Sequence, residues 1–284
     1  MLNNIFMISL SMSAVILLLL IISPLLNKRY SAKWRYFVWL VVALRLIIPF
    51  KLELPQAPVN IPVPNHTVVF RQEGAPIAII DESYIPQGNT FSSSADYAPI
   101  ITLQELLAIF WAIGAASFFL YHIISYIVFK HKINPYCNIV HSDILRDVLN
   151  DMKIKSKLRL IECSKIASPM MIGFLKTAIL LPSTDYSNDE LTVVIKHELT
   201  HYKRGDIWYK LLLVIVNSVH WFNPLVYLMV RQANRDLEYS CDDAVVMGSD
   251  INFRKGYSMT ILKAMQKGEA ATLSTYLNGG RENE

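Results

Sequence analysis

From Ile5 to Leu26 the chain passes 22 positions without a charged residue. At about 1.5 Å per residue, such a helix crosses a hydrocarbon layer of roughly 30 Å. No Lys or Arg precedes the run, and Asn27-Lys28-Arg29-Tyr30 follows it, which is the pattern of a retained span and not of a cleaved leader. A second apolar stretch, Tyr36 to Phe50, carries Arg45 near its far end, where a long side chain can snorkel. A third, Leu106 to Phe129, is 24 residues long and ends in Lys130-His131-Lys132. Three N-terminal transmembrane helices are therefore expected.

Orientation follows from the basic residues, which stay on the cytoplasmic side in short loops. Lys28, Arg29, Lys33 and Arg35 lie between the first two runs, whereas residues 51–101 hold Lys51 and Arg71 against five acidic residues. The amino terminus is predicted outside, residues 51–101 form an extracellular Pro-rich loop, and everything after the third span (102–130) lies in the cytosol. That loop, with seven prolines and Ser92-Ser93-Ser94, reads as a solvated connector.

Beyond residue 131 the runs shorten and the period changes. Asn134 to Leu149 is expected as a surface helix, Arg159–Cys163 as a strand, and Ala178-Ile179-Leu180-Leu181-Pro182 as a second strand closed by proline. Ser187 with Glu190 makes a capping box, so a helix should start at Asn188, run to about Lys203 and stop at Gly205. Residues 207–230 are apolar but broken by Lys210, Asn217, His220, Asn223 and Pro224. They predict a helical hairpin, partly embedded in the membrane, that bends at Trp221–Pro224 and returns as a helix to Met247. The expected fold is thus a mainly α membrane protein with a cytosolic α+β domain over 131–284.

Composition supports this reading. Hydrophobic residues make up 53% and charged residues 18%, and mean hydropathy is +0.32, which argues against an ordinary soluble domain. The net charge of +4 needs no nucleic-acid partner, since membrane-flanking cations supply it. Cys137, Cys163 and Cys241 are far apart with no Cys-x-x-Cys pair. They are expected as reduced thiols and not as a disulfide framework or a thiolate zinc site.

The helix after Ser187 carries His197-Glu198-Leu199-Thr200-His201. Two histidines at i and i+4 share a face and can ligate one zinc ion, and Glu198, rotated by about 100°, can take a proton from the water a catalytic zinc holds. A third ligand is needed. Glu238 and Asp242, again i and i+4, are candidates, one as ligand and the other as support for a ligating histidine; spacing leaves open which, and a solvated acidic face would also contain them. His220 is read as an ordinary buried histidine before a ligand or oxyanion group.

Three blocks, His197–Asp206, Trp221-Phe222-Asn223-Pro224-Leu225-Val226 and Glu238-Tyr239-Ser240-Cys241-Asp242, together resemble the membrane metallopeptidase domain of the BlaR/MecR antibiotic-response signal transducers. The Tyr36–Phe50 run and the Ser168–Pro182 segment fit too, so the resemblance covers nearly the whole chain. It implies a gluzincin-like domain in a bacterial cell membrane, with one zinc held by His197, His201 and Glu238, Glu198 as general base and Asp242 behind the ligands. A BlaI/MecI-like repressor in the cytosol is the implied substrate, with self-cleavage also implied. The lipid bilayer is the other partner, no direct nucleic-acid contact is expected, and a homodimer is open. The substrate is expected to add as a strand along Ala178, Ile179, Leu180 and Leu181.

Two departures stand out. Thr177 replaces the proline many relatives carry, an effect local to the strand. Full-length relatives continue into a penicillin-binding domain with a Ser-x-x-Lys nucleophile, and here no serine has lysine three residues later. The chain is expected to be a fragment or a sensorless member. Two other readings remain: a non-catalytic transducer with a structural metal, and an HtpX-like quality-control protease.

Overall fold

The computed structural model describes residues 2–48, 102–174, 176–184 and 186–263. The expected extracellular loop, 51–101, and the final stretch, 277–284, lie outside them. Of the described residues, 2–48 and 107–263 fall in one compact unit. This unit is mainly helical with one small sheet.

Helix α1 spans Leu2–Arg29, α2 Ala32–Ile47 and α3 Leu103–Ile133. Ser31 caps α2 by accepting from the Trp34 amide, so the second helix starts four residues earlier than the apolar run implied. It has 16 residues, about 24 Å of helix. Only α1 and α3 are both long and apolar enough to cross a membrane on their own, among the described residues. None of the most apolar window of α3 is buried, which a soluble core helix could not tolerate but a lipid-facing one requires.

Two further helices, α6 (Asp206–Val219) and α7 (Pro224–Val246), form the expected hairpin. Asn223 caps α7 with its side-chain oxygen on the Leu225 amide, and Pro224 occupies the first turn, where no amide hydrogen is needed. The hairpin packs on α1 and α2 through one cluster containing Ile16, Trp39, Val42, Leu213, Val216 and Met229. Its tip is held by polar contacts. Asn223 Nδ2 donates to Ser9 and Ser13 at 2.8 and 2.7 Å, Trp111 Nε1 donates to the Val219 carbonyl at 2.9 Å, and His220 Nε2 donates to the Leu46 carbonyl at 3.2 Å. The tip therefore lies level with Ser9 and Ser13 of α1, two to three turns in from its start, and with the last turn of α2.

The sheet has the order β1-β2-β4-β3, with β1 at Cys137–Val140, β2 at Arg159–Cys163, β3 at Met170–Ile172 and β4 at Ala178–Pro182. The β1/β2 and β3/β4 pairs are antiparallel, and β2/β4 is parallel. The structure corrects three sequence expectations in this region. The expected helix from Asn134 to Leu149 is instead a 3₁₀ turn at Asn134–Tyr136, then β1, then α4 (Asp143–Asp151), which starts where Ser142 accepts from the Leu145 amide. Ala178–Leu181 is no edge: β4 is hydrogen-bonded on both sides and buried throughout, so no added strand can reach it. Finally, Cys137 and Cys163 form a disulfide instead of two free thiols, with Cα atoms 4.2 Å apart. They sit directly opposite on neighbouring strands, a register that brings the sulfurs together in either redox state. Cys241 is the free cysteine among the described residues.

Helix α5 (Asn188–Arg204) begins with both bonds of the Ser187/Glu190 capping box and ends at Gly205, with φ of 72°. That left-handed conformation suits glycine. One face of α5, with Val194, Ile195 and Leu199, is buried against Leu160, Ile179 and Leu181 of the sheet and Leu145 and Val148 of α4. The opposite face is thereby fixed toward α6 and α7.

Candidate metal centre

On that face the two histidines of α5 turn their Nε2 atoms toward each other, 3.2 Å apart. Glu238 of α7 meets them with Oε2 at 3.2 Å from His201 Nε2 and 4.0 Å from His197 Nε2. The outer ring nitrogens are occupied. His201 Nδ1 lies 2.7 Å from Asp206 Oδ2. His197 Nδ1 lies 2.8 Å from the Tyr257 hydroxyl, which itself donates to Asp242 Oδ1; that carboxylate oxygen is 3.4 Å from the same ring nitrogen. With acceptors at both Nδ1 positions, the Nε2 lone pairs converge on one point beside a carboxylate. Donors of these types, converging with ring orientation fixed by outer hydrogen bonds, suit a divalent metal ion.

Glu198 lines the same cleft, of about 370 Å³, together with Ser168–Met171. It is 7% exposed, and burial pushes its carboxyl up to about 7, with help from the Glu238 charge and against that of His201. Burial, then the neighbouring His201 charge, pulls His197 down to about 4, so it is a neutral imidazole at pH 7. Burial would also depress His201, but bonds to Asp206, Cys241 and Glu238 outweigh it and push it up to about 12. Burial would raise Glu238, yet His201 and Lys210, whose Nζ is 3.1 Å away, hold it at about 2. A proton on His201 thus sits where a divalent cation would take its place.

The sequence-predicted residues His197, Glu198, His201, Glu238 and Asp242 all come together here. His220 does not: it is fully buried at the hairpin tip. Four residues of the site were missed. Asp206 follows the Gly205 turn, which brings it back beside His201, a signal present in the spacing. Lys210 lies one turn further along α6. Tyr257, on the helical segment 251–263, carries no local signal. Cys241 packs its sulfur within reach of both histidine donors, but burial pushes its thiol pKa up, which disfavours the thiolate a metal needs.

Comparison with known proteins supplies the family. The family model described as BlaR1 peptidase M56 matches residues 3–282. The chain belongs to the M56 peptidase family. M56 peptidases are metallopeptidases. Among curated relatives, the regulatory protein BlaR1 of Bacillus licheniformis is 25% identical over 264 residues, 87% of this chain and 43% of its own. The methicillin resistance mecR1 protein of Staphylococcus aureus is 33% identical over 128 residues, 42% of this chain and 22% of its own. BlaR1 of Staphylococcus aureus is 22% identical over 265 residues, 88% and 44% respectively. This M56 chain spans less than half the length of these relatives.

Because the outer hydrogen bonds orient the histidine rings, Asp206→Asn is expected to weaken binding of a divalent metal by about 10–100-fold. Metal and proton compete for His201, so occupancy falls as pH drops from 7.5 toward 5.5. Titration with a competing chelator at the two pH values checks both, and an Asp206→Asn affinity equal to wild type would remove Asp206 from the site.

Proposed function

We propose that this protein is an integral-membrane zinc endopeptidase that cleaves a cytosolic regulatory protein. The observation that carries the reading is the convergence of two imidazole Nε2 atoms and the Glu238 carboxylate beside a buried Glu198 in one open cleft. A structural metal has no use for that carboxylate. His197, His201 and Glu238 would hold the zinc, which would supply Lewis acidity toward a peptide carbonyl and acidify water. Glu198 would take the proton of the water whose oxygen adds to the carbonyl carbon, and would hand it to the amine as the C–N bond breaks. Glu238 and not Cys241 is assigned as third ligand, so Glu238→Gln should lose zinc and Cys241→Ser should retain it, as read by atomic absorption.

Substrate adds to β3 in this reading. Met170–Ile172 pairs with β4 on one side alone among the described residues, and Met170 and Met171 line the cleft. Backbone pairing there gives affinity without strict sequence demand. α1, α2 and α3 cross the membrane with the amino terminus outside, the hairpin tip reaches into the bilayer, and the cleft faces the cytosol at the hairpin's base. The name regulatory protein carried by two of the relatives supports a regulatory target, such as a repressor, over broad quality control. The test uses the purified full chain with a repressor encoded nearby: one defined cut, lost with a chelator and restored by zinc, is expected. Degradation of many unrelated membrane proteins with the repressor left intact would favour quality control.

A further inference from the structure

A second cavity, larger than the cleft at about 670 Å³, lies between the start of α2, the end of α5, the end of α7 and the helical segment 251–263. Three cations line it, Lys33, Arg204 and Arg254, against one acid, Asp243. The Arg204 guanidinium sits 4.9 Å over the Tyr36 ring. Its Nε lies 3.4 Å from Asp206, while its NH1 is buried with no hydrogen-bond partner among the described residues. A buried guanidinium nitrogen without an acceptor is costly, and phosphate is the anion its fork matches best. Beside these charges the wall is apolar, with Tyr36, Phe37 and Val246, and Phe37 is about half exposed. Lys28 and Arg29 close α1 nearby in sequence, so the cavity stands at the basic end of α1 and α2, where a membrane presents its headgroups.

We propose that this cavity is a binding site for an anionic phospholipid, its phosphate between Arg204, Lys33 and Arg254 and its acyl chain along Tyr36 and Phe37. Charge complementarity selects an anion, and the apolar wall selects a lipid over a soluble phosphate. Arg204 also contacts Asp206, which holds His201, so one ion pair links this site to the metal centre. The inference rests on the membrane reading above but not on peptidase activity.

The test places the full chain in phosphatidylcholine nanodiscs doped with phosphatidylglycerol and counts retained lipids by native mass spectrometry. Phosphatidylglycerol should be retained over phosphatidylcholine. Lys33→Gln and Arg254→Gln, both exposed positions and with fold and metal content checked in parallel, should each lower retention by about fivefold. Lys28→Gln and Arg29→Gln, equally basic but outside the cavity, should not. Equal losses in all four variants would mean diffuse attraction to the headgroup layer and overturn the site. So would retention unchanged by the cavity variants, or displacement of the lipid by soluble glycerol phosphate. Failure of every variant to float with vesicles would instead sink the membrane reading, which separates the two.

Discussion

Glu198→Gln is expected to slow peptide hydrolysis by about 10²–10⁴-fold, the contribution of a positioned acid–base group, with zinc content and unfolding unchanged. Glutamine matches the volume of glutamate, so the packing of a side chain that is 7% exposed is kept, and only the ability to take a proton is lost. Because burial pushes the Glu198 carboxyl up to about 7, its base form disappears as pH falls. A divalent cation beside it favours the ionised form, so the acid limb of kcat/KM should lie at or below pH 7 and vanish in the variant. The measurement is kcat/KM on a repressor-derived peptide across pH, with metal content in parallel. A variant that keeps more than about a tenth of wild-type activity is incompatible with Glu198 as general base. If signalling in cells survived the substitution, the metal would be structural and the protein a transducer.

The residues behind that prediction were legible because local rules place them. Ser187 and Glu190 start α5, Gly205 stops it, and the spacing of His197 and His201 does the rest. Glu238 and Asp242 could be paired with the site but not told apart by spacing, since their roles depend on how α7 packs across α5. In the fold, Glu238 meets Nε2 and Asp242 the outer nitrogen of His197. What local reasoning missed is long-range. Tyr257 reaches His197 across 60 residues. The strand β1 is largely exposed, so no burial alternation marks it, and Ser142, which caps α4, was the available sign that no helix runs through from Asn134. Four apolar residues at Ala178–Leu181 announce a strand but cannot say whether it is central. Parallel pairing with β2 makes it so, and that leaves β1 and the three-residue β3 as the edge strands among the described residues, of which β3 lines the cleft.

Asp236→Ala is expected to destabilise the folded protein by about 3–5 kcal/mol, the cost of stranding a buried charge. Asp236 is 1% exposed and accepts from Arg35 Nε at 2.8 Å, Trp39 Nε1 at 2.9 Å and Gln232 Nε2 at 3.2 Å. Arg35, 7% exposed, has one other anchor among the described residues, the Tyr30 carbonyl at 2.8 Å. Truncating the carboxylate therefore leaves a guanidinium and an indole N–H together in a dry helix interface. Arg35→Ala should be comparably severe, because the orphan is then a carboxylate. The double variant Arg35→Met with Asp236→Leu should recover most of the loss, since buried ion pairs often exchange for apolar groups of similar volume at little cost. Chemical denaturation of the detergent-solubilised chain distinguishes these cases, and single variants within about 1 kcal/mol of wild type would show that water reaches the pair. The latch also bears on chemistry. It ties α2 to α7 two positions before Glu238, so the double variant, stable but without the charge-specified register, should bind zinc more weakly than wild type if Arg35 and Asp236 hold α7 in place.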